Sequence, residues 1–201
     1  SERIVVELPG MTDIERAKEL LGNTAQLDFR MVLSSVSSQD LFKYIAEART
    51  ALTLPETDVS PAAVEKISNW LHSNKKIPQN TTVLFHKIAG DGVNANKVVS
   101  SYPYLLEANP KLTGDMIEDA QAGQSTDNYV PKYVVTLKFK PLGAKIFGDL
   151  TTEAFKPENK PNQIAIVLDG NVYSAPAIND GPILGGNAQI TMGRSSFAEK
   201  Q

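Results

Sequence analysis

Thr136–Thr151 reads TLKFKPLGAKIFGDLT, Gln163–Asp180 reads QIAIVLDGNVYSAPAIND, and Gly185–Met192 reads GGNAQITM. In order these predict a strand, an amphipathic helix, a strand, a tight turn, a strand, a small-residue loop and a last strand. Tyr133, Val135, Leu137 and Phe139 alternate with Val134, Thr136 and Lys138, the two-residue period of a half-buried strand. Pro141 suits a first helical position, with Leu142, Ile146 and Leu150 on the expected inner face. Asp169-Gly170 predicts a hairpin turn, because both residues tolerate positive φ. Helices mixed with hairpins, without regular βαβ units, make the class α+β: a mixed sheet with hairpins and packed helices. That sheet is expected to contain Tyr133–Phe139, Ile164–Leu168, Val172–Ala175 and Ala188–Met192.

Upstream, Ile4–Leu8 has a strand pattern, and Thr12 with Glu15 forms a capping box for a helix whose inner face is Ile14, Ala17 and Leu21. Gly22 is placed to stop it, and Ala25–Phe29 alternates as a strand. Residues 1–33 therefore predict strand, helix, strand, a partial ferredoxin-like base. A serine-rich run, Ser34 to Ser38, follows. Leu41, Ile45, Ala48 and Leu52 then share one helical stripe. Ser60 and Pro61 open a second helix with Val64, Ile67 and Leu71 inward. Thr82–Lys87 and Val98–Leu106 are expected to pair as strands, and Thr113 to cap a short helix through Gln121. Ser196 and Glu199 make another capping box just before Gln201, which reads as the start of a helix that continues past the chain end.

The composition excludes several functions. The chain has 201 residues, 41% of them hydrophobic, and a formal net charge of -3, which suits one large domain or two small ones. A mildly acidic balance without a basic run argues against a nucleic-acid partner. With no cysteine, disulfides and thiol chemistry are excluded. The longest aliphatic run, Ile164–Leu168, falls far short of the ~20 residues that span a bilayer as a helix.

No motif argues for catalysis. Asp115, Glu118 and Asp119 suit the first turns of a helix, where carboxylates meet its positive end. His72 and His86 are the only histidines, and neither has acidic neighbours at ligand spacing. Gly90-Asp91-Gly92 lacks the Lys-Ser/Thr that completes a phosphate loop, and no serine sits in a nucleophile elbow. Asp169 reads as a turn residue. The expectation is no enzyme, no metal and no cofactor.

Four blocks carry a resemblance: RIVVELPG at Arg3–Gly10, DIERAKELLGNTAQLDFR at Asp13–Arg30, LLEANPKLTGDMIEDA at Leu105–Ala120, and the stretch quoted first. In this order they resemble the first periplasmic domain of the SecD family of protein translocase subunits, SecD or the fused SecDF. QITMG stands where that family has QITG, and Ser34 to Tyr104 has no firm counterpart. The resemblance implies a base and a mobile head. Residues 1–33 would be part of the base, 34–38 a hinge crossing, 39–192 the head, and 193–201 the return crossing and the start of a base helix. The hinge candidates are Ser34, Ser35, Ser37, Ser38, Gly193, Ser195 and Ser196. It further implies a module on the periplasmic face of the bacterial inner membrane that holds the emerging unfolded secreted polypeptide during proton-driven export. SecF and the Sec channel would be partners, and membrane contact would come only through segments beyond this chain. A docking module on the Sec channel or another envelope protein is the alternative, ahead of an unrecognised enzyme.

Overall fold

A computed structural model describes residues 26–89, 98–125, 132–178 and 181–192. The first expected strand and helix, with the capping box at Thr12 and Glu15, lie outside the described residues. So do the Gly90-Asp91-Gly92 turn and the capping box at Ser196 and Glu199.

The described residues form three antiparallel sheets. The first has four strands, β1 (Leu27–Met31), β4 (Leu112–Thr113), β7 (Ile164–Leu168) and β8 (Asn171–Ser174), in the order β4-β1-β7-β8. Leu27 faces Leu168 and Met31 faces Ile164 across the β1–β7 pair, and Phe29 faces Leu112 across β1–β4. The second is the hairpin of β2 (Thr81–Ala89) and β3 (Val98–Glu107). The third, in the order β5-β6-β9, joins β5 (Ile117–Ser125), β6 (Lys132–Phe139) and β9 (Asn187–Met192). Helices α1 (Ser38–Ala51) and α2 (Pro61–Ser73) precede β2, and α3 (Pro141–Phe155) follows β6.

The layers follow from where apolar side chains point. Leu41, Ile45 and Ala48 of α1 and Ile67 and Leu71 of α2 cover one face of the hairpin through Val83, Phe85 and Leu105. The other face packs Leu84 and Leu106 on Ala165, Val167 and Val172. The opposite side of the four-stranded sheet, with Phe29, Ile164 and Ile166, meets α3 and the inner face of β6. All five residues of β7 are buried because both faces are covered, which is why IAIVL is uninterrupted rather than alternating. In β6, by contrast, Val135, Leu137 and Phe139 are buried while Thr136 and Lys138 face water.

The α+β class, the three helices from residue 38 on, the β2–β3 pair and the Asp169-Gly170 turn agree with the sequence reading. The turn residues have φ of 47° and 75°. Three expectations are corrected. The expected single sheet is two: Tyr133–Phe139 pairs with β5 and β9, whereas Ile164–Leu168 pairs with β1 and β8. Alternation defines a strand's faces but not its partners. The helix expected from Thr113 is a single 3-10 turn, Gly114–Met116, running into β5. Pairing with β6 overrides the local preference there. Of the expected inner face of α3, Leu150 is buried and Ile146 packs against the core, but Leu142 is 63% exposed, and Gly143, Phe147 and Ala154 complete the buried face. Gly143 sets that rotation. A Cβ there would stand 2.8 Å from both Cβ and O of Met116, so this helix face approaches backbone directly. Strand β1, in the segment expected as base, is hydrogen-bonded between β4 and β7.

Residues 34–111 thus form an insertion between β1 and its sheet neighbour β4, carrying α1, α2 and the hairpin. Arg30 ties its exit to its return. The guanidinium makes a two-point pair with Asp28 (2.7 and 2.9 Å) and donates to the carbonyls of Glu107 and Ala108.

Candidate functional site

Ser34 to Ser38 leaves β1 for α1, and its residues are held unequally. Val32 bridges to Leu106, and the Leu33 amide donates to the Leu105 carbonyl at 2.9 Å. Ser37 is the N-cap of α1, its Oγ accepting from the Asp40 amide, and Ser38 is the first helical residue. Among the described residues, Ser34, Ser35 and Val36 make no such hydrogen bond to a regular element. Beneath them lies a small cavity of ≈ 110 Å³ walled by Leu33, Leu41, Tyr102, Tyr104 and Pro161. Burial pushes the Tyr104 hydroxyl up to about 12. Tyr102 packs between Tyr104, tilted against it, and the half-exposed Phe42, edge-on, with ring centroids at 5.0 and 5.3 Å. Gly193, Ser195 and Ser196 lie outside the described residues.

The acidic trio does not assemble. Asp115 accepts from the Thr113 hydroxyl, Glu118 pairs with Lys138 at 2.9 Å, and Asp119 accepts from Gln121 at 2.7 Å. His72 ends α2, and His86 on β2 donates from Nδ1 to the Val172 carbonyl at 3.0 Å. No group of three His, Cys, Asp or Glu residues that could hold a metal exists among the described residues.

A larger concavity was not legible in the sequence. It measures ≈ 530 Å³ and lies between α2, the start of β2 and the Asp169-Gly170 turn. Helix α2 contributes Glu65, Ser68, Asn69 and His72, one turn apart along a single flank, because residues three and four apart share a helix face. The turn contributes Asp169 and Asn171, and the Asp169 amide donates to the Gln26 carbonyl, which brings Gln26 to the rim. Val59 and Leu84 are its buried apolar residues. Ser68 is only 8% exposed, and its Oγ has no hydrogen-bond partner among the described residues; nor has His72 Nε2. The sole sequence signal was the Asp169-Gly170 turn, since nothing local links it to a helix a hundred residues earlier.

The third sheet ends on two open edges: the outer sides of β5 and β9 pair with no other strand among the described residues. Such edges present unpaired amides and carbonyls to an extended chain.

Comparison with known proteins adds the following. A family model described as "SecDF, P1 head subdomain" matches residues 91–200, and one described as "Protein translocase subunit SecDF, P1 domain, N-terminal" matches residues 1–34. A "Protein translocase subunit SecD" from Calditerrivibrio nitroreducens is 35% identical over 190 residues, covering 94% of this chain and 29% of its own length. One from Syntrophobacter fumaroxidans is 34% identical over 200 residues, covering 100% of this chain and again 29% of its own length. The chain therefore spans about three tenths of the curated relatives it matches. A solved chain described as "Structure and function of a membrane component SecDF that enhances protein export" aligns at 28% identity with a TM-score of 0.42, over 92% of this chain and 64% of that one.

Proposed function

The chain belongs to the SecD family of protein translocase subunits, and on that footing we propose that it is a non-enzymatic module that binds an unfolded polypeptide emerging in Sec-dependent export. It works at the periplasmic face of the inner membrane, with SecF and the Sec channel as partners of the longer protein. The observation that carries this reading is the family match over 91–200. It is supported by a surface offering free strand edges and a concavity but no metal-holding cluster among the described residues. Binding a chain of any sequence calls for main-chain recognition and shallow apolar contact, which edges and amide-lined grooves supply.

Motion is the second part of the proposal. Ser34, Ser35 and Val36 form one arm of a hinge and Gly193, Ser195 and Ser196 the other, with Ser37 and Ser38 fixed in the helix cap. Hinges draw on a few loop residues able to absorb backbone change.

Hydrogen exchange of the 201-residue chain, with and without a reduced, carboxymethylated client protein, tests the binding. Protection along β5, β9 or the groove supports it, and an unchanged exchange map refutes it. A docking role would instead give protection only with the Sec channel. The exposed Leu142 and Leu184, 63% and 68% accessible, are the residues that favour that second reading.

A further inference from the structure

We propose that the groove between α2 and the Asp169-Gly170 turn is a subsite for a basic residue, flanked by an apolar one, in an extended polypeptide. The inference rests on the polypeptide-binding reading above and gives it a location and a preference.

Charge comes first. Two carboxylates, Glu65 and Asp169, and one histidine, His72, line the groove, and no lysine or arginine does among the described residues. A phosphate or an acidic peptide would meet repulsion there, whereas an ammonium or guanidinium would meet complementary charge. The second observation is independent of charge. Ser68 Oγ is buried and unpartnered among the described residues, an arrangement that costs stability until a donor or acceptor arrives. A lysine carries three donors and an arginine five, enough to serve this hydroxyl and a carboxylate together.

The remaining wall suits the flanking chain. Gln26, Asn69 and Asn171 bring side-chain amides that can bond a peptide backbone of any sequence. Val59 and Leu84 give the groove a small apolar surface for one neighbouring side chain. The rim at Gly170 is open, since nothing lies within 4 Å of where a Cβ would stand. At ≈ 530 Å³ the groove falls within the usual range for ligand sites, and it holds a few residues rather than a folded element.

Fluorescence anisotropy on the 201-residue chain tests this with short, unstructured, fluorescein-labelled Gly/Ser peptides that differ only at their centre: Leu-Lys-Leu, Leu-Glu-Leu or Ser-Lys-Ser. Leu-Lys-Leu is expected to bind about five-fold more tightly than Leu-Glu-Leu, a preference that shrinks as salt is raised. Glu65→Gln combined with Asp169→Asn should bring that ratio close to one, and asparagine keeps the turn because it tolerates positive φ. Asn69→Trp, on the exposed flank of α2, should block the groove and weaken Leu-Lys-Leu, with the melting curve confirming an intact fold. Equal affinity for the lysine and glutamate peptides, or a preference that survives the double variant, overturns the subsite while leaving polypeptide binding in place. Failure of all three peptides and of an unfolded client to bind overturns both.

Discussion

The frame (β1, β4, β7, β8 with α3 and the third sheet) and the insertion at residues 34–111 are built by different means. The frame closes around aromatic rings: Phe29, Phe139 and Phe147 meet with centroids 4.8 to 5.9 Å apart, two of the three contacts edge-on. The insertion closes mainly around aliphatic side chains of two helices on a hairpin, with Phe85 the one aromatic ring in its buried core. A six-residue layer joins them, Val32, Leu84 and Leu106 against Ala165, Val167 and Val172, with the ties of Arg30 and His86 beside it. The insertion thus has a core of its own and a modest contact with its host, the arrangement that permits one unit to loosen while the other holds. The family models draw a related line, for they match 1–34 and 91–200 and leave α1 and α2 unmatched.

The largest effect should separate the two cores. Phe147 is fully buried where the three rings meet, so Phe147→Ala is expected to cost about 3–5 kcal/mol and to lower the unfolding midpoint of the whole chain. Leu71, equally buried, belongs to the insertion. Leu71→Ala should cost about 2–5 kcal/mol but speed hydrogen exchange in α1, α2 and the hairpin while β1 and β7 stay protected. Equal acceleration in both regions would mean a single cooperative unit and erase the distinction.

Next in size is Gly143→Ala, which sharpens the account of how α3 seats on the frame. The new methyl would be driven into Met116 backbone and side chain, an overpacking expected to cost about 1–3 kcal/mol. A stability equal to wild type in urea titration would show that the close approach at Gly143 does not fix the helix.

The same glycine marks the limit of what sequence patterning reveals. Apolar spacing correctly put Leu150 and Ile146 inward but also Leu142, which is exposed, because the buried flank begins at a residue without a side chain, Gly143. A hydrophobicity pattern cannot register a contact made by backbone. Helix α2 was legible because its stripe and its Ser60 cap agree, and α1 from its stripe alone, since Ser37, part of the serine run, is its N-cap in the structure. The Ile117–Ser125 strand was not, since Glu118, Asp119, Ala120 and Gln121 have little strand preference and are held by β6. Nor was the pairing of Leu27–Met31 with Ile164–Leu168, which joins segments far apart in sequence. The groove was illegible for the same reason.

Alkaline titration probes the layer between the two regions. Tyr104 packs on that layer and lies close to its ionisation limit, pushed up to about 12 by burial and by Tyr102, while an unfolded tyrosine ionises near 10. The folded state therefore keeps its proton after the unfolded state has lost it. The resulting stabilisation is complete below pH 10 and is lost as pH rises toward about 12. Tyr173, also raised to about 12 by burial, adds the same dependence from the frame side. Tyr104→Phe and Tyr173→Phe should each flatten the decline in stability above pH 10, and a decline as steep in the double variant would assign it to other groups.

The smallest effect concerns the junction itself. Ser37 accepts from the Asp40 amide at 3.1 Å and donates to the Asp40 carboxylate at 2.7 Å, which anchors the start of α1 immediately after Ser34, Ser35 and Val36. Ser37→Ala removes both bonds at an exposed site, so the cost should be about 1 kcal/mol. Its location makes it informative. The lost cap frees the first turn of α1 without touching either core, so exchange should quicken at Ser38 to Leu41 alone, with β1 and α2 unchanged. Glycine at the same position caps almost as well as serine, so Ser37→Gly should recover most of the loss while leaving the backbone freer. If alanine instead loosens the whole insertion, Ser37 helps hold it onto the frame, and the flexible crossing is longer than Ser34 to Val36.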